Sequence, residues 1–301
     1  MLWRLNSQTQ HTEYSAMTAP SNRSQTFSFE FFPPNTTEGV TKLAHTAKTL
    51  AALAPKFFSV TYGAGGSTRE RTLQVVRDLQ AAGYAAAPHI SCVGSTKQEI
   101  HDILNDYRSH GIQHLVALRG DLPSGTGSAG ELHYANELVR FIRSEFGQQF
   151  TIEVAAYPEY HPQALNAQQD LLNFQRKVDA GADSAITQYF YNADCYFHFL
   201  DACATMRIDI PIVPGIMPIG RFSQLARFSD ACGAEIPRWI RRKIEGYGDD
   251  TTSIQAFGLD VVTTLCEQLL AGGAPGLHFY TMNQAAPTLT IWQRLGLPQV
   301  D

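Results

Sequence analysis

Phe57-Phe58-Ser59-Val60-Thr61-Tyr62 is a short β-rich run, and it is followed by Ser67-Thr68-Arg69-Glu70 ahead of Leu73, Val76 and Leu79, then Gly83, then Ala86-Ala87-Pro88-His89-Ile90-Ser91. The first run has the branched and aromatic residues of a strand. The Ser/Thr-x-x-Glu pattern has the form of a capping box before an apolar helical stripe, and Gly83 supplies the stop. The unit is strand, helix, glycine, strand.

The same unit recurs on both sides. Upstream, Ser28 to Phe32 reads as a strand, and Leu43, Ala47, Leu50 and Ala54 recur at helical spacing before Pro55. Downstream, Thr96-Lys97-Gln98-Glu99 repeats the capping form ahead of Ile100, Ile103, Leu104 and Tyr107, and Gly111 closes that helix. Further strands are expected at His114 to Leu118, Ile152 to Ala156, Ser184 to Gln188, Ile212 to Pro214 and Gly276 to Tyr280. Helices are expected around Leu138, Phe141 and Ile142, and around Leu171, Phe174 and Val178. Eight strands alternating with helices predict right-handed crossovers closing into an α/β (β/α)8 TIM barrel. The competing fold is an open doubly wound sheet, but Gly63-Ala64-Gly65-Gly66-Ser67-Thr68 lacks the last glycine of its nucleotide fingerprint. The long interval between strands seven and eight is expected to hold extra helices, including Phe222 to Ala231 and Asp260 to Leu270. Residues 26–301 are expected to form a single catalytic domain, and residues 1–25, rich in Ser, Thr, Gln and Asn, a disordered leader.

Composition narrows the function. The 301 residues are 44% hydrophobic and 17% charged, enough for a large core. A net charge of -5 and a pI of 6.0, with no long basic run, argue against nucleic acid or an acidic membrane surface as partner. No apolar run approaches the roughly 18 residues of a membrane span. Cys92, Cys195, Cys203, Cys232 and Cys266 are scattered without a CxxC pair, which fits a reduced cytoplasmic compartment and neither disulfides nor a zinc site. His110 and His114 have a metal-like spacing, but Gly111 breaks the helix between them and no metal is expected.

Barrel enzymes collect their chemistry at the carboxyl ends of the strands. That rim is polar here: Glu30, Thr61 and Tyr62, His89, Arg119-Gly120-Asp121, Tyr157, Gln188 and Tyr280. Alternation puts Glu30 with Ser28 and Phe32 on one strand face, and Phe29 and Phe31 on the other. An aromatic setting is expected to raise the Glu30 pKa towards that of a general acid; the alternative is a structural pairing with a buried Arg or Lys. On the helix after strand five, Asp170, Asn173 and Lys177 share a stripe with Arg176 beside it, suited to a phosphorylated cofactor or, alternatively, to solvent.

Several motifs, in order, resemble the methylenetetrahydrofolate reductase family: Ser28-Phe29-Glu30-Phe31-Phe32-Pro33-Pro34, Ser59-Val60-Thr61-Tyr62-Gly63-Ala64, and Leu115-Val116-Ala117-Leu118-Arg119-Gly120-Asp121-Leu122-Pro123. Ala155-Ala156-Tyr157-Pro158-Glu159 with His161-Pro162, Asp170-Leu171-Leu172 leading to Arg176-Lys177-Val178-Asp179-Ala180-Gly181-Ala182, Ile186-Thr187-Gln188, and His278-Phe279-Tyr280-Thr281 continue the match. The resemblance implies an FAD-bearing barrel reducing 5,10-methylenetetrahydrofolate to 5-methyltetrahydrofolate with hydride from NADH or NADPH, as a cytoplasmic homo-oligomer.

By position, the resemblance makes Glu30 the general acid towards the folate N10 and Asp121 the charge beside flavin and pterin. The flavin contacts it implies are Thr61, Tyr62, Ala64, His89, Arg119, Gly120, Asp121, Ala135, Tyr157, His161, Ala164, Asp170, Asn173, Arg176 and Lys177. The substrate contacts it implies are Gln188, Gln224, Phe228, Tyr280 and Gln284. At Gln284 the family usually has an Arg for the glutamate tail of folate, and losing that charge-assisted pair costs about 1.5–3 kcal/mol unless it is replaced. The competing functions are a pterin-binding methyltransferase barrel without flavin, and a non-catalytic folate- or flavin-binding subunit.

Overall fold

The computed structural model describes residues 25–62, 66–120 and 130–299, with residues 66–68 described by backbone alone. Asp121, the glycine-rich stretch 63–65 with Ala64, and nearly all of the expected leader lie outside the described residues.

The strands β1 (Thr26–Phe31), β2 (Phe57–Val60), β3 (Ala86–Ser91), β4 (His114–Leu118) and β5 (Thr151–Ala156) are followed by β6 (Ser184–Thr187), β7 (Ile212–Val213), β8 (Gly215–Ile216) and β9 (Gly276–Tyr280). They form one sheet ordered β7-β6-β5-β4-β3-β2-β1-β9-β8. Every pairing along it is parallel. The expected seventh strand, Ile212 to Pro214, is therefore corrected to two short strands flanking Pro214. A proline has no N–H for the ladder, and the chain changes neighbour at that point. Because β7 pairs with β6 and β8 with β9, the two edges of the sheet meet in one interrupted stave, and the eight-stave barrel closes.

Gly215, beside that break, has no room for a side chain: a Cβ would lie 2.2 Å from the Thr187 carbonyl oxygen and 2.6 Å from the Tyr280 ring. Its N–H donates to Thr187 Oγ1 at 2.9 Å, which ties the broken stave to β6.

Helices α1 (Thr37–Ala51), α2 (Gly66–Ala81), α3 (Lys97–Ser109), α4 (Ala135–Phe146), α5 (Ala167–Asp179) and α6 (Ala193–Thr205) follow the first six strands. The Thr96–Glu99 capping box forms at α3, with both reciprocal hydrogen bonds present. Ala54, expected on the first helix, instead sits in the turn after it at φ 49°. The interval before β9 holds α7 (Phe222–Cys232), α8 (Arg238–Tyr247) and α9 (Thr251–Ala271), and α10 (Ala286–Arg294) follows β9. The expected helix at Asp260 is thus only the second half of α9, which starts where Asp250 caps Ser253 N–H at 3.1 Å. α8 was not foreseen, because only Ile240 and Ile244 are buried in its basic sequence.

Alternation along the strands separates two cores. Phe29, Phe31, Phe58 and Ile90 point outward and are fully buried against Leu43, Leu50, Val76 and Trp292. Each such side chain contributes about 1.5–3 kcal/mol by leaving water. Phe57, Ala87, Val116 and Ile186 form a separate cluster inside the barrel. Above and below that plug the barrel interior is polar. Among the described residues no helix is long and apolar enough to cross a membrane, and all five cysteines are free.

Candidate active site

Glu30 stands on the inner face of β1, in register with Ser59 of β2 and Tyr280 of β9. Its Oε2 lies 3.4 Å from His89 Nε2 and 3.7 Å from His278 Nε2. These separations exceed a well-formed hydrogen bond, and both Nε2 atoms are buried with no hydrogen-bond partner. Burial pushes the Glu30 carboxyl up, but His278 and His89 outweigh it and hold it below the usual range, at about 2. The expectation of a raised pKa is corrected: burial desolvates Glu30, but imidazoles from two other strands favour its ionised form. The partners are histidines rather than the Arg or Lys of the structural alternative.

The cluster is held from below. Ser28 Oγ shares a 2.7 Å hydrogen bond with His278 Nδ1, and Thr281 Oγ1 donates to the Glu30 carbonyl at 2.6 Å. Tyr280 donates its hydroxyl to the Thr187 carbonyl at 2.7 Å. Burial raises the Tyr280 pKa well above that of an ordinary phenol, so the ring stays neutral.

Glu30 forms part of the wall of an inner cavity of about 440 Å³. Thr61, Tyr62 and His89, expected as flavin contacts, and Gln188, Phe228 and Tyr280, expected as substrate contacts, line the same cavity. The Gln188 amide oxygen accepts the Tyr189 N–H at 3.0 Å, which leaves its NH2 donors uncommitted among the described residues.

An outer cavity of about 730 Å³ adjoins it, and Leu118, Ala155 and Tyr157 belong to both. Arg119, Gly120, Ala135, His161 and Ala164 line the outer one, together with Asp170, Asn173, Arg176 and Lys177 of α5. Asp170, Asn173 and Lys177 are thus half-buried along the wall of this cavity, and Arg176 stands exposed beside it. Lys177 Nζ donates to the Ala155 carbonyl at 2.5 Å, and burial pulls its pKa down to about 8 against an opposing pull from Asp170. Asn173 Oδ1 accepts from Arg176 at 2.8 Å and from Gln169 at 3.2 Å. Asp170 accepts the His161 N–H at 3.0 Å, fastening the loop after β5 to α5. Gly120 sits at φ +82°, where a Cβ would lie 1.8 Å from Ser91 Oγ, so glycine is required as the chain leaves β4.

Two expected contacts are not brought to either cavity wall. Gln224 is on α7 one turn before Phe228, and Gln284 is exposed after β9. Ser28 and His278 were missed as functional residues. The available signal was strand alternation, which puts His278 on the face of Tyr280 and Ser28 on that of Glu30. Met217, Tyr189 and Cys232 in the inner wall had no signal, because they come from segments that only the closed barrel brings together.

A parallel barrel with a carboxylate–imidazole cluster in one chamber and Arg119, Arg176 and Lys177 along the adjoining one has the layout of a barrel enzyme. Residues 15–296 match the family described as Methylenetetrahydrofolate reductase. The chain is 42% identical over 271 residues to the 5,10-methylenetetrahydrofolate reductase of Escherichia coli (strain K12), covering 90% of each chain. It is 43% identical to the Salmonella typhimurium protein of the same name over the same span. It is 38% identical over 285 residues to a probable methylenetetrahydrofolate reductase (NADH) of Oryza sativa, covering 48% of that longer protein. Among solved structures, an uncharacterized Clostridium thermocellum protein that binds two copies of 5-methyl-5,6,7,8-tetrahydrofolic acid superposes with a TM-score of 0.62. The two are 16% identical, and the match covers 92% of this chain and 96% of that one, so it speaks to the fold alone. The chain belongs to the methylenetetrahydrofolate reductase family and is an oxidoreductase acting on a folate.

Proposed function

We propose that the chain, as a single catalytic domain over residues 26–301, reduces 5,10-methylenetetrahydrofolate with hydride drawn from NADH or NADPH through FAD. The observation that carries this reading is the pair of joined chambers, one with cations and one with an acid–base cluster. The donor set fits a dinucleotide. Arg176 and Lys177 suit a pyrophosphate, and Lys177, buried with a depressed pKa, gains from an anion beside it. When bound, FAD supplies the two-electron relay between nicotinamide and folate.

The chain's own residues do the rest. Arg119, Asp170, Asn173 and His161 shape the outer chamber, and Tyr157 stands where the two chambers meet. Phe228 gives the folate an apolar face, and the free NH2 of Gln188 gives it a donor. His278 and His89 hold Glu30 ionised before substrate enters. A substrate closing over the inner chamber removes water and disfavours that charge, so the carboxylate takes up a proton from solvent as the substrate enters. From there it passes to N10 of the folate, opening the ring to a cation that accepts hydride. Asp121 and Ala64 belong to this reading by their place in the family motifs. So does homo-oligomeric assembly.

An absorbance spectrum of the purified protein under anaerobic conditions tests the reading. Flavin bands that bleach with NADH or NADPH and return with methylenetetrahydrofolate are the expected result. A protein that stays colourless after added FAD overturns the flavin assignment.

A further inference from the structure

We infer that Arg227 recognises the carboxylates of the folate's glutamate tail at the mouth of the inner chamber, an inference that rests on the folate reading of that chamber. Phe228 of α7 lines the inner cavity, and the Arg227 guanidinium carbon lies 5.4 Å from the centre of the Phe228 ring. Arg227 is exposed and makes no ion pair or hydrogen bond among the described residues. Arg227 lines neither cavity itself, but the Phe228 ring that does so carries its cation.

The chemistry of the ligand supplies the counterpart. A folate is a pterin joined through an aminobenzoyl group to glutamate, so its reactive end is flat and its far end is dianionic. With the pterin beside Glu30 and the outer chamber assigned to the dinucleotide, the wall that Phe228 of α7 contributes is left for the tail. A carboxylate there meets a guanidinium already resting on an aromatic face. Arg suits this position: its planar fork can pair with a carboxylate while its stem and face remain on the ring. The nearest alternatives are neutral. Gln224 lies one turn earlier on the same helix, and Gln284 is exposed after β9; both are amides without charge.

The test is equilibrium binding of two probes to the full chain: 5-methyltetrahydrofolate, and the same pterin–aminobenzoate without glutamate. Arg227→Gln is expected to weaken binding of the first by about tenfold and to leave the second unchanged. Arg227→Lys is expected to keep most of the difference, and raised salt to shrink it in the wild type. Equal losses for both probes would mean that Arg227 only supports Phe228, and no loss for either would mean that it touches nothing; each overturns the proposal. A wild-type protein that binds neither probe overturns the folate reading of the chamber itself. Wild-type binding of both probes with equal affinity overturns only the role of Arg227.

Discussion

The barrel interior contains two carboxylate–imidazole clusters, and they behave differently. At the carboxyl end of the strands, Glu30 stands between His89 and His278 with 18% of its side chain exposed, on the wall of a cavity. At the opposite end, Glu153 of β5 hydrogen-bonds His114 of β4 at 3.0 Å with only 3% of its side chain exposed. Phe57 lies between them, its ring 4.2 Å from His114 and 6.3 Å from His278. Burial pushes both carboxyls up; His278 and His89 outweigh it at Glu30, and His114 with Ser184 and Lys56 outweighs it at Glu153. The difference is access. Glu30 can be covered by a ligand and exchange a proton with it, whereas Glu153 lines neither cavity and faces His114, Ser184 and Lys56. A perturbed carboxylate marks a site only where a cavity reaches it.

The largest effect that would break this comparison comes from exchanging the acids. Glu30→Gln is expected to lower folate reduction by about 10²–10⁴-fold, with flavin reduction by NADH retained, measured separately in stopped-flow half-reactions. Near-normal folate reduction would remove Glu30 as the acid. Glu153→Ala is expected to do the reverse, keeping the turnover per folded molecule while costing about 3 kcal/mol in urea denaturation by leaving His114 unpaired. A stable but inactive Glu153→Ala protein would make the lower cluster functional.

The pH dependence sharpens the contrast. Glu153 has a folded pKa below its reference of 4.5, so its contribution to stability is present above that pH and is lost as pH falls through the window beneath it. Denaturation curves between pH 3 and pH 6 are expected to be flatter for Glu153→Gln than for wild type. In the outer chamber the sign is opposite. Lys177 has a pKa of about 8, and a bound anion favours its charged form, so the affinity for FAD is greatest below that pH and weakens above it. Fluorescence titrations with FAD between pH 6 and pH 10 check this; a pH-independent affinity for the wild type would remove Lys177 from the pyrophosphate site. The smallest effect is that of Tyr280→Phe, which loses the hydrogen bond to the Thr187 carbonyl and is expected to cost about 1 kcal/mol in thermal unfolding.

Much of the architecture was legible because it is local. The apolar stripe of α3, its Thr96–Glu99 box and the boundaries of β3, β4 and β9 follow from residues a few positions apart. α8 and the start of α9 were not, because their apolar content is low or their cap is a single aspartate. The break at Pro214 was half legible. Proline announces a stop, but only the meeting of two sheet edges makes it a change of neighbour.

The sequence by itself determined the strand–helix repeat, the polar rim that includes Glu30, His89, Tyr157 and Gln188, and the α5 stripe with Arg176 and Lys177. Each rests on periodicity, which a chain carries in its own order. The tertiary structure alone decided the ionisation of Glu30, since burial pulls one way and two imidazoles pull the other. His278 is 248 positions from Glu30 in the chain, and β9 brings it within 3.7 Å only when the barrel closes. Coulombic and hydrogen-bonding forces act over distance in space, and no pattern along the sequence reports that distance.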